Sequence, residues 1–382
     1  MRVILAVAVL LGSTSLARAE LDPTTLQAIL DDAREAGYAP GAMAAINQGG
    51  SVVWQGQSGY ASLDQSEPLG AEHLFGLGSV GKTYTAVMTL KLAEQGYLSL
   101  DAPLENYVPD LPGADQVTIR MLLSQHSGYP EVYENEEIAE HILDWDFEWN
   151  RDVLLDKVEA PTVTPGSQFE YINTNYIILG EVIERASGKP VEEVLQETIT
   201  GPLGLTNTFL AVEESVNARL AHPVLVEGDE VADVFALAGR VPSALYGPSF
   251  MCGGIVSNAS DVCLFFSGLF NGEIIGPEML SEMLEVDPDI GYGLGIMKYN
   301  PGGETWYVHT GAYGGYTAMA GYHPESDLAL VTLTNLQTDF DFPAGEVWDS
   351  FLAATSVPEP TSFAMLLSAV MLFAGCKRIR RK

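Results

Sequence analysis

The sequence predicts an α+β fold in which one antiparallel sheet is flanked by helices and carries a mainly helical lobe. Two observations lead there. Strand-like runs sit near both ends of the chain, at 42–56 and 305–334, and the long stretch between them reads as helix. Strands from distant ends that pair with one another give a single antiparallel sheet. The intervening helices must then cover that sheet or form a second lobe. No internal repeat is visible.

Taken in order, Asp22 and Pro23 open the first helix as N-cap and first-turn proline. Leu26, Ile29, Leu30 and Ala33 fall on one face of it, and Gly37 ends it. The runs 42–46 and 52–56 flank Gly49-Gly50 and read as a hairpin. Helices follow at 80–95, stopped by Gly96, at 175–186, stopped by Gly188, at 191–198 after Pro190, and at 261–270. Three strands are expected at 305–309, 316–322 and 328–334, then a last helix at 346–354.

The two ends are set apart from the fold. Met1-Arg2, the apolar run 3–11 and Ala17-Arg18-Ala19 read as a secretory signal peptide over 1–19. At the other end, Val357-Pro358-Glu359-Pro360 precedes an apolar run over 363–375 and a basic tail over 377–382. That run is shorter than the ~20 residues a comfortable spanning helix needs. The segment 357–382 resembles the PEP-CTERM sorting signals of Gram-negative bacteria, and a plain membrane anchor is the other reading. The leader implies signal peptidase, and the C-terminal resemblance an exosortase, as partners during export. The location expected is periplasmic, surface or secreted, with a membrane tether before processing.

The chain carries 18 basic residues against 51 acidic ones, a net charge of −33. Seven of the basic residues lie in the two terminal segments, which leaves 11 in the body against about 50 acids. Such a body excludes nucleic acid and anionic membranes as partners. It holds two cysteines, Cys252 and Cys263. Export permits a disulfide between them, and nothing in the sequence shows one.

Ser79 and Lys82 carry the chemistry. Residues three apart share one face of a helix, which puts an ammonium beside a serine hydroxyl. A serine is a poor nucleophile until a neighbour takes its proton, and a desolvated lysine helps do that. Away from the two ends the lysines are few: Lys82, Lys91, Lys157, Lys189 and Lys298. The same letters, Gly76-x-x-x-x-Gly81-Lys82-Thr83, fit a phosphate-binding P-loop. Context opposes that reading. Gly70-Ala71-Glu72-His73-Leu74 is not the buried strand a P-loop must follow, and no apolar strand ends in an aspartate suited to magnesium. An acidic chain repels ATP, and an exported one meets almost none.

Two further motifs fall where such a fold can bring them to the serine. Tyr171-Ile172-Asn173 just precedes the helix carrying Ile177, Ile178, Leu179, Val182 and Ile183. His309-Thr310-Gly311 is expected to end a strand and leads into Gly314-Gly315. The bland readings are a packing tyrosine and a strand histidine satisfied by hydrogen bonds. Tyr133-Glu134-Asn135 and His126-Ser127-Gly128 repeat the two patterns without the helix-start or strand-end setting, and are read as decoys.

In this order, Ser79-x-x-Lys82, Tyr171-x-Asn173 and His309-x-Gly311 resemble the serine hydrolases of the class C β-lactamase and D-alanyl-D-alanine carboxypeptidase family. Leu100-Asp101-Ala102-Pro103-Leu104, Leu122-Leu123-Ser124-Gln125-His126-Ser127-Gly128 and Pro202-Leu203-Gly204-Leu205 extend the likeness. So do Gly253-Gly254-Ile255-Val256-Ser257, Tyr292-Gly293-Leu294-Gly295 and Thr334-Asn335. The resemblance implies a β-lactamase/transpeptidase-like fold over 20–356. It also assigns roles. Ser79 is acylated, and Tyr171 is the base, alone or relaying the proton with Lys82. Asn173 bonds the substrate and holds Lys82. His309, Thr310 and Gly311 bind substrate, and the backbone N–H groups of Ser79 and Ala312 form the oxyanion hole. Bringing a tyrosine from a pKa near 10 to about 7 takes roughly 4 kcal/mol, which a close Lys82 ammonium can supply. No metal or organic cofactor is called for.

One departure shapes the substrate expectation. Where β-lactamases of this family carry Lys-Thr-Gly, this chain has His309-Thr310-Gly311, a form that also resembles certain carboxypeptidases and esterases of the family. A lysine gives a substrate carboxylate a permanent charge, whereas a histidine is mostly neutral at pH 7. The expected activity is an esterase or a peptidase acting on D-amino-acid substrates. A true β-lactamase with its carboxylate anchor elsewhere, Arg240 being one candidate, and a non-catalytic member of the fold are the other readings.

Overall fold

The computed structural model describes residues 22–141, 147, 149–210, 214–238, 247, 249–339 and 341–355. The leader reading over 1–19, the tail reading over 357–382 and Arg240 lie outside the described residues.

Helix α1 (Pro23–Ala36) starts as the cap chemistry requires. The Asp22 carboxylate accepts from the N–H groups of Thr24 and Thr25, and Gly37 closes the last turn. Strands β1 (Gly41–Gln48) and β2 (Ser51–Gly59) are joined by Gly49-Gly50 alone. Both glycines hold positive φ, the conformation a two-residue hairpin turn demands. The chain then builds its lobe, whose main helices are α2 (Gly81–Glu94), α3 (Thr174–Ser187) and α4 (Ala259–Phe270). It returns as β3 (Met297–Tyr299), β4 (Trp306–Tyr313), β5 (Tyr316–His323) and β6 (Leu328–Thr334), and closes with α5 (Pro343–Thr355).

The sheet order is β2-β1-β6-β5-β4-β3, and each neighbouring pair is antiparallel. Strands from both chain ends therefore meet at the β1–β6 seam, where Ala42 lies opposite Thr334. Alternation splits the side chains into two cores. Ala42, Ala44, Trp306, Val308 and Met319 pack with Leu30 of α1 and Val347, Trp348 and Phe351 of α5. Met43, Ala45, Ala318, Ala320 and Val331 pack with Cys263, Phe265 and Phe266 of α4 and onward into the lobe. The α+β layout expected from the sequence is the one observed. Among the described residues no helix is long and apolar enough to cross a membrane.

Some boundaries differ from expectation for physical reasons. The strand expected to stop at 309 runs on to Tyr313, because Tyr313 pairs with Tyr316 around Gly314-Gly315. His309-Thr310-Gly311 is thus mid-strand and does not end it. The helix expected over 191–198 gives way to a π-helical stretch at Gln196–Thr200. Pro202 lies two residues beyond Thr200 in the turn Gly201–Leu203, and without an N–H it cannot donate to the Thr198 carbonyl as an α-ladder requires. The hairpin Val224–Glu227 with Glu230–Asp233 and the strand β3 are too short to leave a periodic signal.

Candidate active site

The nucleophile candidate sits in a wall of buried residues. Across 73–90 only Ser79 keeps partial exposure. It lies on the tight turn Gly78–Val80 that feeds α2. β4 crosses that turn at a separation that leaves no room for side chains. A Cβ on Gly311 would fall 2.0 Å from the Leu77 carbonyl oxygen and 2.9 Å from the Ser79 nitrogen. A Cβ on Gly78, whose φ is +51°, would fall 2.9 Å from the Ala312 nitrogen. Glycine at both positions lets the backbones of Ser79 and Ala312 approach across the contact.

Lys82 lies one turn further along α2 and has no exposed surface. Its Nζ lies 3.1 Å from Ser79 Oγ, 2.7 Å from Asn173 Oδ1 and 2.9 Å from the Cys252 carbonyl oxygen. Two of these acceptors are carbonyl oxygens, which cannot donate, so two Nζ hydrogens are committed to them. The third direction faces the serine. It carries a hydrogen in the ammonium and a lone pair in the neutral amine, and in the second state it can take the Ser79 proton. Tyr171 is half-buried beside the pair, and Nζ stands 4.9 Å from its ring centroid. The Tyr171 ring meets Tyr292 edge-on, with centroids 5.9 Å apart.

Asn173 is held from behind by a residue that sequence reasoning missed. The Glu131 carboxylate accepts from the Asn173 backbone N–H at 2.7 Å and from its Nδ2 at 3.0 Å. A carboxylate only accepts, so this contact fixes which end of the amide faces Lys82. Burial holds the Glu131 pKa above its ordinary value, against the hydrogen bonds from Asn173 and Tyr133 and the charge of Lys82. In a chain this acidic, one more glutamate in a loop carries no signal. The Cys252 carbonyl was equally invisible, since any residue type supplies one.

The third triplet is divided by the pleat. His309 lies opposite Ala320 and Gly311 opposite Ala318, on the lobe side of the sheet, whereas Thr310 pairs with Met319 on the other side. The Thr310 side chain therefore does not share the face that Gly311 turns to Ser79. His309 is 1% exposed. Its Nδ1–H donates to the Thr310 carbonyl at 2.7 Å, which leaves Nε2 as the acceptor facing the Tyr292 hydroxyl at 3.4 Å. Burial pushes its pKa down to about 3, with the hydrogen bond to Thr310 opposing and the Lys82 charge reinforcing. His309 is therefore neutral in mild acid as well as at pH 7.

The two decoys have other uses. The Tyr133 hydroxyl lies 3.3 Å from the Cys252 thiol, and Asn135 Oδ1 accepts from the Glu137 N–H of the next short helix. His126 bonds the Ser124 carbonyl and packs against Phe169. Cys252 and Cys263 are both free and buried, so they do not pair. The P-loop reading fails on its setting, because the strand that precedes Lys82, Phe75–Gly76, is two residues long and pairs antiparallel.

The family model described as Beta-lactamase matches residues 26–352. The chain belongs to that family. It is 28% identical over 328 residues to Esterase EstB of Burkholderia gladioli, covering 74% of this chain and 81% of that one. It is 25% identical over 315 residues to a penicillin-binding protein of Bacillus subtilis (strain 168), covering 77% of this chain and 68% of the relative. Among solved structures, the D-amino acid amidase of Ochrobactrum anthropi superposes with a TM-score of 0.74 at 27% identity, over 86% of this chain and 97% of that one. The family is one of serine hydrolases, and the members matched are named as an esterase, a penicillin-binding protein and a D-amino acid amidase.

The buried histidine yields a stability prediction. His309 titrates at 6.5 when exposed and at about 3 in the fold. Between those values the unfolded chain binds a proton that the folded chain refuses. The stabilising contribution of His309 is therefore whole above pH 6.5 and is lost as pH falls toward 3, by up to about 1.4 kcal/mol per pH unit. Denaturant unfolding from pH 7 to 4 should show a shallower slope of stability against pH in His309→Gln than in the wild type. Equal slopes would remove His309 from the account.

Proposed function

We propose that this chain is an exported serine hydrolase that works through an acyl-enzyme on Ser79, and that its substrates are small esters or amino-acid amides and peptides rather than β-lactams. The observation that carries the reaction is the 3.1 Å contact between Lys82 Nζ and Ser79 Oγ, at the accessible point of an otherwise buried stretch. The export component rests on the sequence of 1–19 and 357–382, with signal peptidase and an exosortase as the processing partners.

The reaction runs in two halves. The serine proton passes to Tyr171 or Lys82 as Oγ attacks the substrate carbonyl. The negative charge that develops on the carbonyl oxygen is met by the backbone N–H groups of Ser79 and Ala312. The leaving group takes the proton and departs, and water repeats the sequence to release the acid. Asn173 orients the substrate while its Oδ1 holds Lys82 in place.

An active-site label tests the assignment first. A fluorophosphonate or acylating probe should add its mass to Ser79, and labelling that survives Ser79→Ala would sink the proposal. Lys82→Ala and Tyr171→Phe are each expected to slow acylation by orders of magnitude, and the double variant should be little worse than either. Losses that simply add in log rate would argue against a shared proton path.

Substrate preference follows from charge. β4 offers a neutral His309 where a cation would hold a carboxylate, and the body has few cations to replace it. The named esterase and D-amino acid amidase relatives agree with a carbonyl substrate that needs no such anchor. kcat/KM for p-nitrophenyl butyrate should exceed that for nitrocefin. A preference for nitrocefin of tenfold or more, about 1.4 kcal/mol, would overturn this substrate class.

A further inference from the structure

Glu131 does more at this site than hold Asn173. It is partly exposed, and among the described residues no lysine, arginine or histidine reaches it at ion-pair distance. Its Oε2 is engaged twice by Asn173, whereas Oε1 has a single long contact, 3.4 Å from the Tyr133 N–H. A carboxylate has about four acceptor sites, so Oε1 keeps capacity for a donor. A half-buried carboxylate with no cation in direct contact is costly even with Lys82 acting on it through space, and a ligand that brings one recovers part of that cost.

Its position limits which cation fits. Ser79, Lys82, Asn173 and Glu131 form a row linked at 3.1, 2.7 and 3.0 Å. An α-ammonium sits two bonds from the carbonyl carbon that Ser79 attacks, so its partner must lie on the serine's side of the site, and Glu131 is the acid that this row joins to Ser79 through Lys82 and Asn173. The geometry points to Glu131 as the anchor for a cationic α-amine on the acyl side of the substrate. The preferred substrates are then amides or esters of amino acids with a free amine, an assignment that rests on the hydrolase reading above. The acidic body supports it, since the field draws a cation in and opposes a carboxylate-ended peptide.

The test compares phenylalanine p-nitroanilide, D and L, with its N-acetyl derivative, on wild type, Glu131→Gln and Ser79→Ala. Wild type should favour the free amine by tenfold or more in kcat/KM, mainly through KM. Glu131→Gln should lose at least tenfold more on the free amine than on the acetylated substrate. Equal losses would reduce Glu131 to a support for Asn173 and overturn the assignment, as would a wild-type preference for the acetylated form. A second measurement avoids altering Glu131. Calorimetric binding of phenylalanine amide to Ser79→Ala should be at least tenfold tighter than that of N-acetylphenylalanine amide, and equal affinity overturns the proposal. If turnover persists undiminished in Ser79→Ala, the hydrolase reading fails instead, and the binding comparison still decides the role of Glu131.

Discussion

Lys82 has no contact with solvent, and a buried amine is unfavourable unless its hydrogens find acceptors. The acceptors come from three places far apart in the chain. Ser79 lies one turn away, Asn173 heads α3, and Cys252 belongs to the short helix Phe250–Gly253. Each is fixed by its own element, so satisfying one nitrogen ties α2, α3 and that helix together. The same requirement serves the fold and the site. An apolar residue at 82 would strand two buried carbonyls, and a lysine free to move would not stay beside the serine. The amine is therefore held beside the Ser79 hydroxyl by the packing of the lobe.

The sheet supplies the other half of the geometry through register. β4 reaches the Ser79 turn by its Gly311 backbone, and the pairing of Gly311 with Ala318 sets which residue arrives there. A slip of one residue would turn every side chain of β4 to the opposite face. Thr310 or Ala312 would then bring a Cβ against the Leu77 carbonyl, where 2.0 Å is already too close for one. The register is held from behind, where Trp306 of β4 meets Trp348 of α5 with ring centroids 5.2 Å apart. The packing of the α1–α5 layer thus places Ala312 opposite Ser79, although no residue of that layer touches the site.

What was legible in the sequence is what local chemistry dictates. Asp22-Pro23, Gly37, Gly49-Gly50 and Gly188 each mark a boundary through a cap or a positive φ, and each boundary falls close to where it was expected. The serine and lysine three apart were legible for the same reason, because a helical turn alone makes them neighbours. What failed depends on contacts across the chain. β5 is buried on both faces, so alternation could not reveal which of its residues face the lobe. The end of β4 is set by its pairing with β5, a tertiary fact. Glu131 acquires its meaning from Asn173, 42 positions away, and Tyr292 from His309 across a turn of chain that carries no periodic signal.

The placement of Glu131 also bears on how Lys82 can work. Most cations of this acidic body are tied to carboxylates, as Arg120 is to Asp101 and Glu282, Arg185 to Glu181, and Lys189 to Glu193 and Glu197. Among the described residues Lys82 has no such partner. The nearest acid along its hydrogen-bond row is Glu131, and the Asn173 amide stands between them, accepting from Lys82 and donating to Glu131. A direct ion pair would hold the third Nζ hydrogen on the carboxylate and favour the charged amine. With a neutral amide as the spacer, the acid still balances the lysine through space, but the third direction of Nζ stays turned to Ser79. The arrangement balances the lysine through space and leaves the direction of Nζ that faces Ser79 uncommitted to a carboxylate.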